Sequence, residues 1–367
     1  MGCESTDGRP RDSTGVEGRL VPAVARALGP RTARREWHAL TMEELGWSST
    51  TDEVLEELLG TDSLDGFTVM VTGASTGLGE ETTRALMARG AHVLMGVRDP
   101  ARGEAARARV ADAVGSRGRA TLVSLDLESL ASVRRAVDAV ASTTSHLDAL
   151  INNAGIMACP QGRTVEGFER QMGTNHLAHH LLARLLTPAL LEGAQRSGRP
   201  GRVIALSSRG HSFADVDLDD LHYDATPYDP ITAYGRSKTA NALFALEYDR
   251  RHGAAGVRAY SVHPGGIHTE LGRHMTRDVI ASLMSVIGDA GTIRWKTIPQ
   301  GAATTLWALL NPALLSHGGA YCEDCALAVI SDDATASSGV RPYALDPARA
   351  LRLWDASDAV TGHVGVR

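Results

Sequence analysis

A chain of 367 residues, 43% hydrophobic and with a net charge of −6, has ample material for one large α/β domain or two ordinary ones. Its mild acidity gives no reason to expect nucleic acid or an anionic membrane as a partner, and no apolar run approaches the ~20 residues that span a bilayer. Four cysteines, Cys3, Cys159, Cys322 and Cys325, make no disulfide framework for a chain of this size. The N-terminus also lacks the continuous apolar core of a secretory signal, so a cytoplasmic protein is expected.

Residues 1–62 read as an N-terminal extension. The stretch 1–18 is rich in Gly, Ser, Thr and Arg, which predicts disorder. Met1 to Thr6 fits an N-myristoylation signal, though a pattern this short is also met by chance. An apolar patch at 20–28 ends at Gly29-Pro30, and Trp37, Leu40, Met42, Leu45 and Trp47 are too apolar for a pure linker. These are expected to pack on the main domain. The run 51–59 predicts a short acidic helix that Gly60 stops.

From Phe67 a regular alternation begins. Strands are predicted at 67–72, 91–97, 120–125, 147–151, 202–206 and 257–262, with a short last one at 319–321. Helices are predicted at 77–89, 100–114, 130–141, 231–252 and 300–310, with one or two more across 165–191. Strands alternating with helices of this length imply parallel βαβ units. The expected fold is a doubly wound, Rossmann-type three-layer sandwich with a central, mostly parallel sheet over 63–355, followed by a tail at 356–367.

The first strand leads into Gly73-Ala-Ser75-Thr76-Gly77-Leu78-Gly79, which opens a helix. A helix N-terminus offers free N–H groups and partial positive charge to a pyrophosphate, and glycines let the backbone come close to it. A glycine-rich tight turn in some other doubly wound protein is the alternative, which the flanking strand and helix disfavour. The second strand ends Val97-Arg98-Asp99. An acidic residue there would read a ribose 2′-OH, whereas arginine accommodates a 2′-phosphate. Arg98 therefore points to NADP(H). Asp99 is left with three options: pairing with Arg98, capping the next helix, or touching the ribose. Asp126, after the third strand, reads either as a contact for the adenine edge or as a helix cap.

Tyr234 and Lys238 lie four apart in the long helix, hence on one face. A phenol near pKa ~10 is a poor acid or base at neutral pH, and a cation beside it favours the phenolate. The chain has only two lysines, Lys238 and Lys296, so a lysine in this position is informative. Lysine is a compact point charge where arginine is a fork. The spacing alone is a weak pattern.

Several motifs in order sharpen it: Thr72-Gly73-x-x-x-Gly77-x-Gly79, Asn152-Asn-Ala-Gly155, Thr174-Asn-His-Leu177, Ser207-Ser208, Tyr234-x-x-x-Lys238 and His263-Pro-Gly-Gly266. Together they resemble the classical short-chain dehydrogenase/reductase (SDR) family over about Ser63 to Trp354. The resemblance implies that Tyr234 exchanges a proton with a carbonyl or alcohol oxygen and that Ser208 steadies that oxygen. It implies that Lys238 binds the nicotinamide ribose and lowers the tyrosine pKa, while Asn175 holds a water that relays protons. It further implies cofactor contacts from Leu127, Asn153, Ala154, Gly155, Pro264, Gly265, Ile267 and Thr269. The insert Arg209–Ala233 and the Val-Arg-Asp ending are similar to the branch holding retinol dehydrogenases and light-dependent protochlorophyllide reductase. That family often pairs through the helices carrying Asn175 and Tyr234, which leaves a homo-oligomer open.

Residues 267–298 fall where the family places a substrate lid. Val279, Ile280, Leu283, Met284 and Ile287 have helical spacing, flanked by Met275 and Trp295. They read as a mobile apolar cover or as an ordinary core helix. Cys322-Glu-Asp-Cys325 lacks the second ligand pair of a structural zinc. His176, His179 and His180 share a helix without a glutamate base between them. No metal is expected. The expected activity is NADP(H)-dependent reduction of a ketone or aldehyde, or oxidation of a secondary alcohol, on an apolar small molecule. Epimerisation, dehydration or alkene reduction in the same cleft, and a non-catalytic NADP(H)-binding module, are the rival readings.

Overall fold

The computed structural model describes residues 45–277, 279–281, 294–333, 336 and 338–362. The expectations for 1–18, the patch at 20–28, and Trp37, Leu40 and Met42 lie outside these, as do those for Leu283, Met284 and Ile287.

Eight strands form one sheet in the order β10-β9-β6-β5-β4-β1-β2-β3. They are β1 (Thr68–Thr72), β2 (His92–Val97), β3 (Arg119–Ser124), β4 (Ala149–Asn152), β5 (Gly201–Leu206), β6 (Val257–His263), β9 (Tyr321–Glu323) and β10 (Ala326–Leu327). All pairings are parallel except the terminal β9–β10 hairpin. A separate pair, β7 (Gly266–Ile267) and β8 (Trp295–Lys296), lies after β6. Val71 pairs with both Met95 and Ile151, so chain order reverses between β1 and β4. Ligands of open α/β sheets bind outside the strand ends at such a reversal.

Residues along each central strand alternate between two cores. Met70 and Leu94 face a layer built with Val133, Leu181, Leu243 and Trp354. Val69, Val71, Val93 and Met95 face the other, with Val54, Leu86, Val110 and Leu306. The first layer contains helices α4 (Leu130–Thr143), α5 (Ala178–Ser197), α6 (Pro230–His252) and α8 (Pro347–Thr361). The second contains α1 (Thr51–Leu59), α2 (Gly77–Ala88), α3 (Pro100–Val114) and α7 (Ile298–Leu310). No helix among the described residues is long and apolar enough to cross a membrane.

Three details depart from the sequence expectation. The boundary drawn at 355 falls inside α8, and the end of the N-terminal extension packs on the main domain as expected. Val54 and Leu55 of α1 are buried, Gln300 of α7 donates to the Ser48 carbonyl at 2.9 Å, and α8 runs on to a buried Thr361. The helix expected from 165 starts at Arg170, because the Glu169 carboxylate caps the N–H groups of Gln171 and Met172. The last strand is displaced to Tyr321–Glu323. Asp324 and Cys325 both have positive φ, 50° and 56°, the backbone of a tight two-residue hairpin turn. Cys322 and Cys325 are thus buried hairpin thiols, pushed up to about 12 by burial. Among the described residues no group of side chains could hold a metal ion.

Candidate active site

The site is built on the C-terminal ends of β1, β4, β5 and β6. After β1 the chain turns at Gly73 and Gly77, with φ of 66° and 59°, a region that disfavours any side chain. A Cβ on Gly79 would stand 2.3 Å from the Gly73 carbonyl oxygen. Thr76 precedes α2 without capping it through its side chain, so the helix's first N–H groups keep their capacity for an anion. Ser75, Thr76 and Leu78 are half-buried along this loop. The cradle fits the pyrophosphate of a dinucleotide.

Thr72 ties β4 to this loop. Its hydroxyl accepts from the N–H groups of Asn153 and Ala154, both at 3.0 Å. The Asn153 side chain donates to the Thr72 carbonyl at 2.8 Å, so it supports the loop's shape. Leu127 is also turned into the core. At the adenosine end, Asp99 takes the capping option and accepts from the N–H groups of Ala101 and Arg102. Arg98 is mostly exposed and meets Glu128 at 3.5 Å. The capping reading for Asp126 does not hold, since Ser129 caps α4; the Asp126 carboxylate accepts from Glu128 N–H at 3.0 Å. Arg102, unmarked in the sequence reading, forks onto Glu270 at 2.8 and 2.7 Å.

Before α5 the helix opens into a π turn, Gly173–Leu177, a distortion frequent at functional sites. Asn175 sits in it, fully buried. Its amide accepts from Ile156 N–H at 2.8 Å and donates to Ser237 Oγ at 2.9 Å. His179 Nδ1 lies 3.0 Å from the Asn175 carbonyl oxygen, and its Nε2 lies 2.9 Å from Thr72 Oγ1. Burial holds this imidazole down at about 4. His176 and His180 instead reach Ser357 and Asp358 of α8, at 2.9 and 2.7 Å, which makes them packing contacts.

Ser207 and Ser208 end β5 with different tasks. Ser207 Oγ donates to the Lys238 carbonyl at 2.8 Å. Ser208 Oγ accepts from Gly210 N–H at 3.0 Å and lies against the Tyr234 phenol. A Cβ on Gly210 would stand 2.6 Å from Tyr234 Cε1, so glycine admits the ring beside the serine. Burial raises the Tyr234 phenol to about 12, offset in part by Ser208. Burial lowers the Lys238 ammonium to about 8. Lys238 Nζ donates to the Leu206 carbonyl at 2.9 Å. The expected lowering of the tyrosine does not emerge: desolvation raises it and favours the neutral form of each group.

After β6, His263 Nδ1 accepts from the N–H groups of Arg209 and Gly265, at 3.2 and 3.3 Å. Pro264, Gly265 and Ile267 line the turn half-buried. Thr269 places its methyl 3.6 Å from the position a Gly77 Cβ would take, beside the phosphate cradle. Val279 is half-buried and Ile280 is 40% exposed. Lys296, the second lysine, is buried and pairs with Asp324 at 2.6 Å. A Gly265 Cβ would stand 2.8 Å from its Cδ. Its rarity was the signal that could have marked it.

Residues 67–279 match the family model for short chain dehydrogenase. Short-chain dehydrogenase/reductase prx1 of Penicillium roqueforti is 38% identical over 344 residues, covering 94% of this chain and 95% of that protein. Retinol dehydrogenase 11 of Mus musculus is 38% identical over 299 residues, covering 82% and 87%. An uncharacterized protein of Mycobacterium paratuberculosis superposes with a TM-score of 0.60 at 35% identity, covering 82% and 95%. The NADP complex of Pseudomonas aeruginosa RhlG does so at 0.55 and 25% identity, covering 71% and 95%. The family binds a nicotinamide cofactor, for which the glycine cradle is shaped. The chain therefore belongs to the short-chain dehydrogenase/reductase family, in its retinol dehydrogenase-like branch.

Proposed function

We propose that this oxidoreductase uses NADP(H) to reduce a ketone or aldehyde, or to oxidise a secondary alcohol, on an apolar small molecule. The observation that carries the reading is the meeting of Ser208, just after β5, with the Tyr234 phenol of α6 and with Lys238 Nζ 5.6 Å from the centre of that ring. When bound, the cofactor supplies the hydride; the protein supplies position, a proton and charge stabilisation.

Ser208 Oγ accepts from Gly210 N–H, which leaves its own proton to donate to the substrate oxygen. Tyr234, protonated with a pKa near 12, is the acid for reduction. In the oxidative direction it must act as phenolate, and a cationic neighbour favours that form. Lys238 is that neighbour and also the ribose anchor. Asn175 lies close to Lys238 across Gly155: a Cβ there would be 3.2 Å from Asn175 Oδ1 and 3.6 Å from Lys238 Nζ. This supports a water-mediated relay from Lys238 past Asn175.

NADP(H) is favoured because Asp99 is engaged as a cap while Arg98 stays exposed at the strand end. Asp126, Ala154, Gly155, Pro264, Gly265, Ile267 and Thr269 complete the cofactor contacts. The name retinol dehydrogenase, carried by relatives at 35–38% identity, supports an apolar substrate. The test is turnover of aldehydes and ketones with NADPH or NADH deuterated at C4. Deuterium on the carbonyl carbon, with NADPH preferred, supports the reading. Turnover without net cofactor consumption, or a preference for NADH, contradicts it.

A further inference from the structure

His211 lies three residues beyond Ser208 in the 3-10 turn Arg209–Phe213 and is 1% exposed. Its Nε2 lies 3.1 Å from the backbone N–H of Arg341. A backbone N–H can only donate, so Nε2 carries the lone pair and the ring proton sits on Nδ1. Nδ1 lies 2.7 Å from the carbonyl oxygen of Ser208. The imidazole is therefore neutral, with its tautomer fixed by both neighbours. The Tyr321 hydroxyl donates to the same Ser208 carbonyl at 3.0 Å. The carbonyl of His211 in turn accepts from Tyr343 at 2.8 Å and Thr239 at 3.1 Å. The ring is thus held by Arg341 N–H and the Tyr321 hydroxyl, and the His211 backbone by Tyr343.

We propose that His211 is the positioning residue of Ser208: its Nδ1–H clamps the serine's carbonyl, fixing the direction of Oγ toward the reacting oxygen. The inference rests on the carbonyl/alcohol reading of the Ser208–Tyr234–Lys238 site. Ser208 is in extended backbone with φ −167° and ψ 159°, a conformation its own chain does not enforce. Besides the His211 backbone N–H that closes the turn at 3.0 Å, two side-chain donors on its carbonyl, His211 Nδ1 and the Tyr321 hydroxyl, and Gly210 N–H on its Oγ supply the constraint. The clamp gives Tyr321 and Arg341 a task in catalysis. Catalytic groups must be held close to their productive geometry by a second layer of hydrogen bonds.

Asparagine can place an N–H near the Nδ1 position, whereas glutamine places its amide nearer Nε2. The test compares H211A, H211N and H211Q with wild type and with Y234F, using apolar aldehydes and NADPH. H211A and H211Q are expected to lose about 10- to 100-fold in kcat while KM and the Kd for NADPH, read by fluorescence, stay within about twofold. H211N is expected to recover most of the rate. Nitrogen NMR of the wild-type imidazole should show the Nδ1–H tautomer. If H211A does not fold, the Asn and Gln variants decide. Equal rates for all variants, or losses in H211N matching H211Q, overturn the proposal. An inactive wild type indistinguishable from Y234F overturns the functional reading instead.

Discussion

Lys238 Nζ stands 5.6 Å from the centre of the Tyr234 ring, close enough to lean on its π face. Each side chain is 4% exposed, and each is pushed by burial toward its neutral form. Lys238 is charged below about 8 and neutral above it. Tyr234 stays a phenol until about 12. Carbonyl reduction should therefore be level on the acid side and fall as pH rises through about 8, as the ribose-anchoring charge is lost. A kcat/KM profile against pH checks this; a rate that climbs through that range contradicts it.

Arg98 should set the cofactor preference. Exchanging it for alanine removes charge-assisted hydrogen bonds to a 2′-phosphate, each worth about 1.5–3 kcal/mol. We expect NADPH to bind about 10- to 100-fold more weakly, with little change for NADH. Titration calorimetry with both cofactors measures the two arms.

Gly210 should be intolerant of a side chain for a catalytic reason. An added methyl would meet the Tyr234 ring at 2.6 Å and Ser208 Oγ at 3.4 Å. Overpacking of this kind costs typically about 1–3 kcal/mol. G210A should thus fold, with a modestly lowered melting temperature, yet lose about 100-fold or more in kcat through the displaced phenol.

Stability should fall on mild acidification. His179, His211 and His263 are held near 4, 4 and 3 by burial. The folded state keeps them neutral, while the unfolded chain takes up protons below about 6.5. Stability from this source is complete above about 6.5 and drains away between there and about 3, the value for His263. Urea unfolding across that window should show a falling midpoint. H179F is not a substitute control, because Thr72 and the Asn175 carbonyl would lose a partner.

The fold was legible because parallel strands and glycine turns leave local signatures. The spacing of Gly73, Gly77 and Gly79 reflects two positive φ angles and one close backbone approach. Tyr234 and Lys238 were legible because four residues make one helical turn. The three options for Asp99 were decided only by its position before Ala101 and Arg102. Nothing in the spacing told that the Asn153 amide holds the Thr72 carbonyl. His211 and Lys296 stayed silent because their partners, Arg341 and Asp324, lie far along the chain. Tertiary pairing, which leaves no spacing to read, supplied those contacts.

The most direct measurement is the rate of NADPH oxidation by Tyr234→Phe with a carbonyl substrate that the wild type reduces. The account predicts a loss of about 1,000-fold or more in kcat, with NADPH affinity and melting temperature close to wild type. Reduction surviving within a few fold would contradict it.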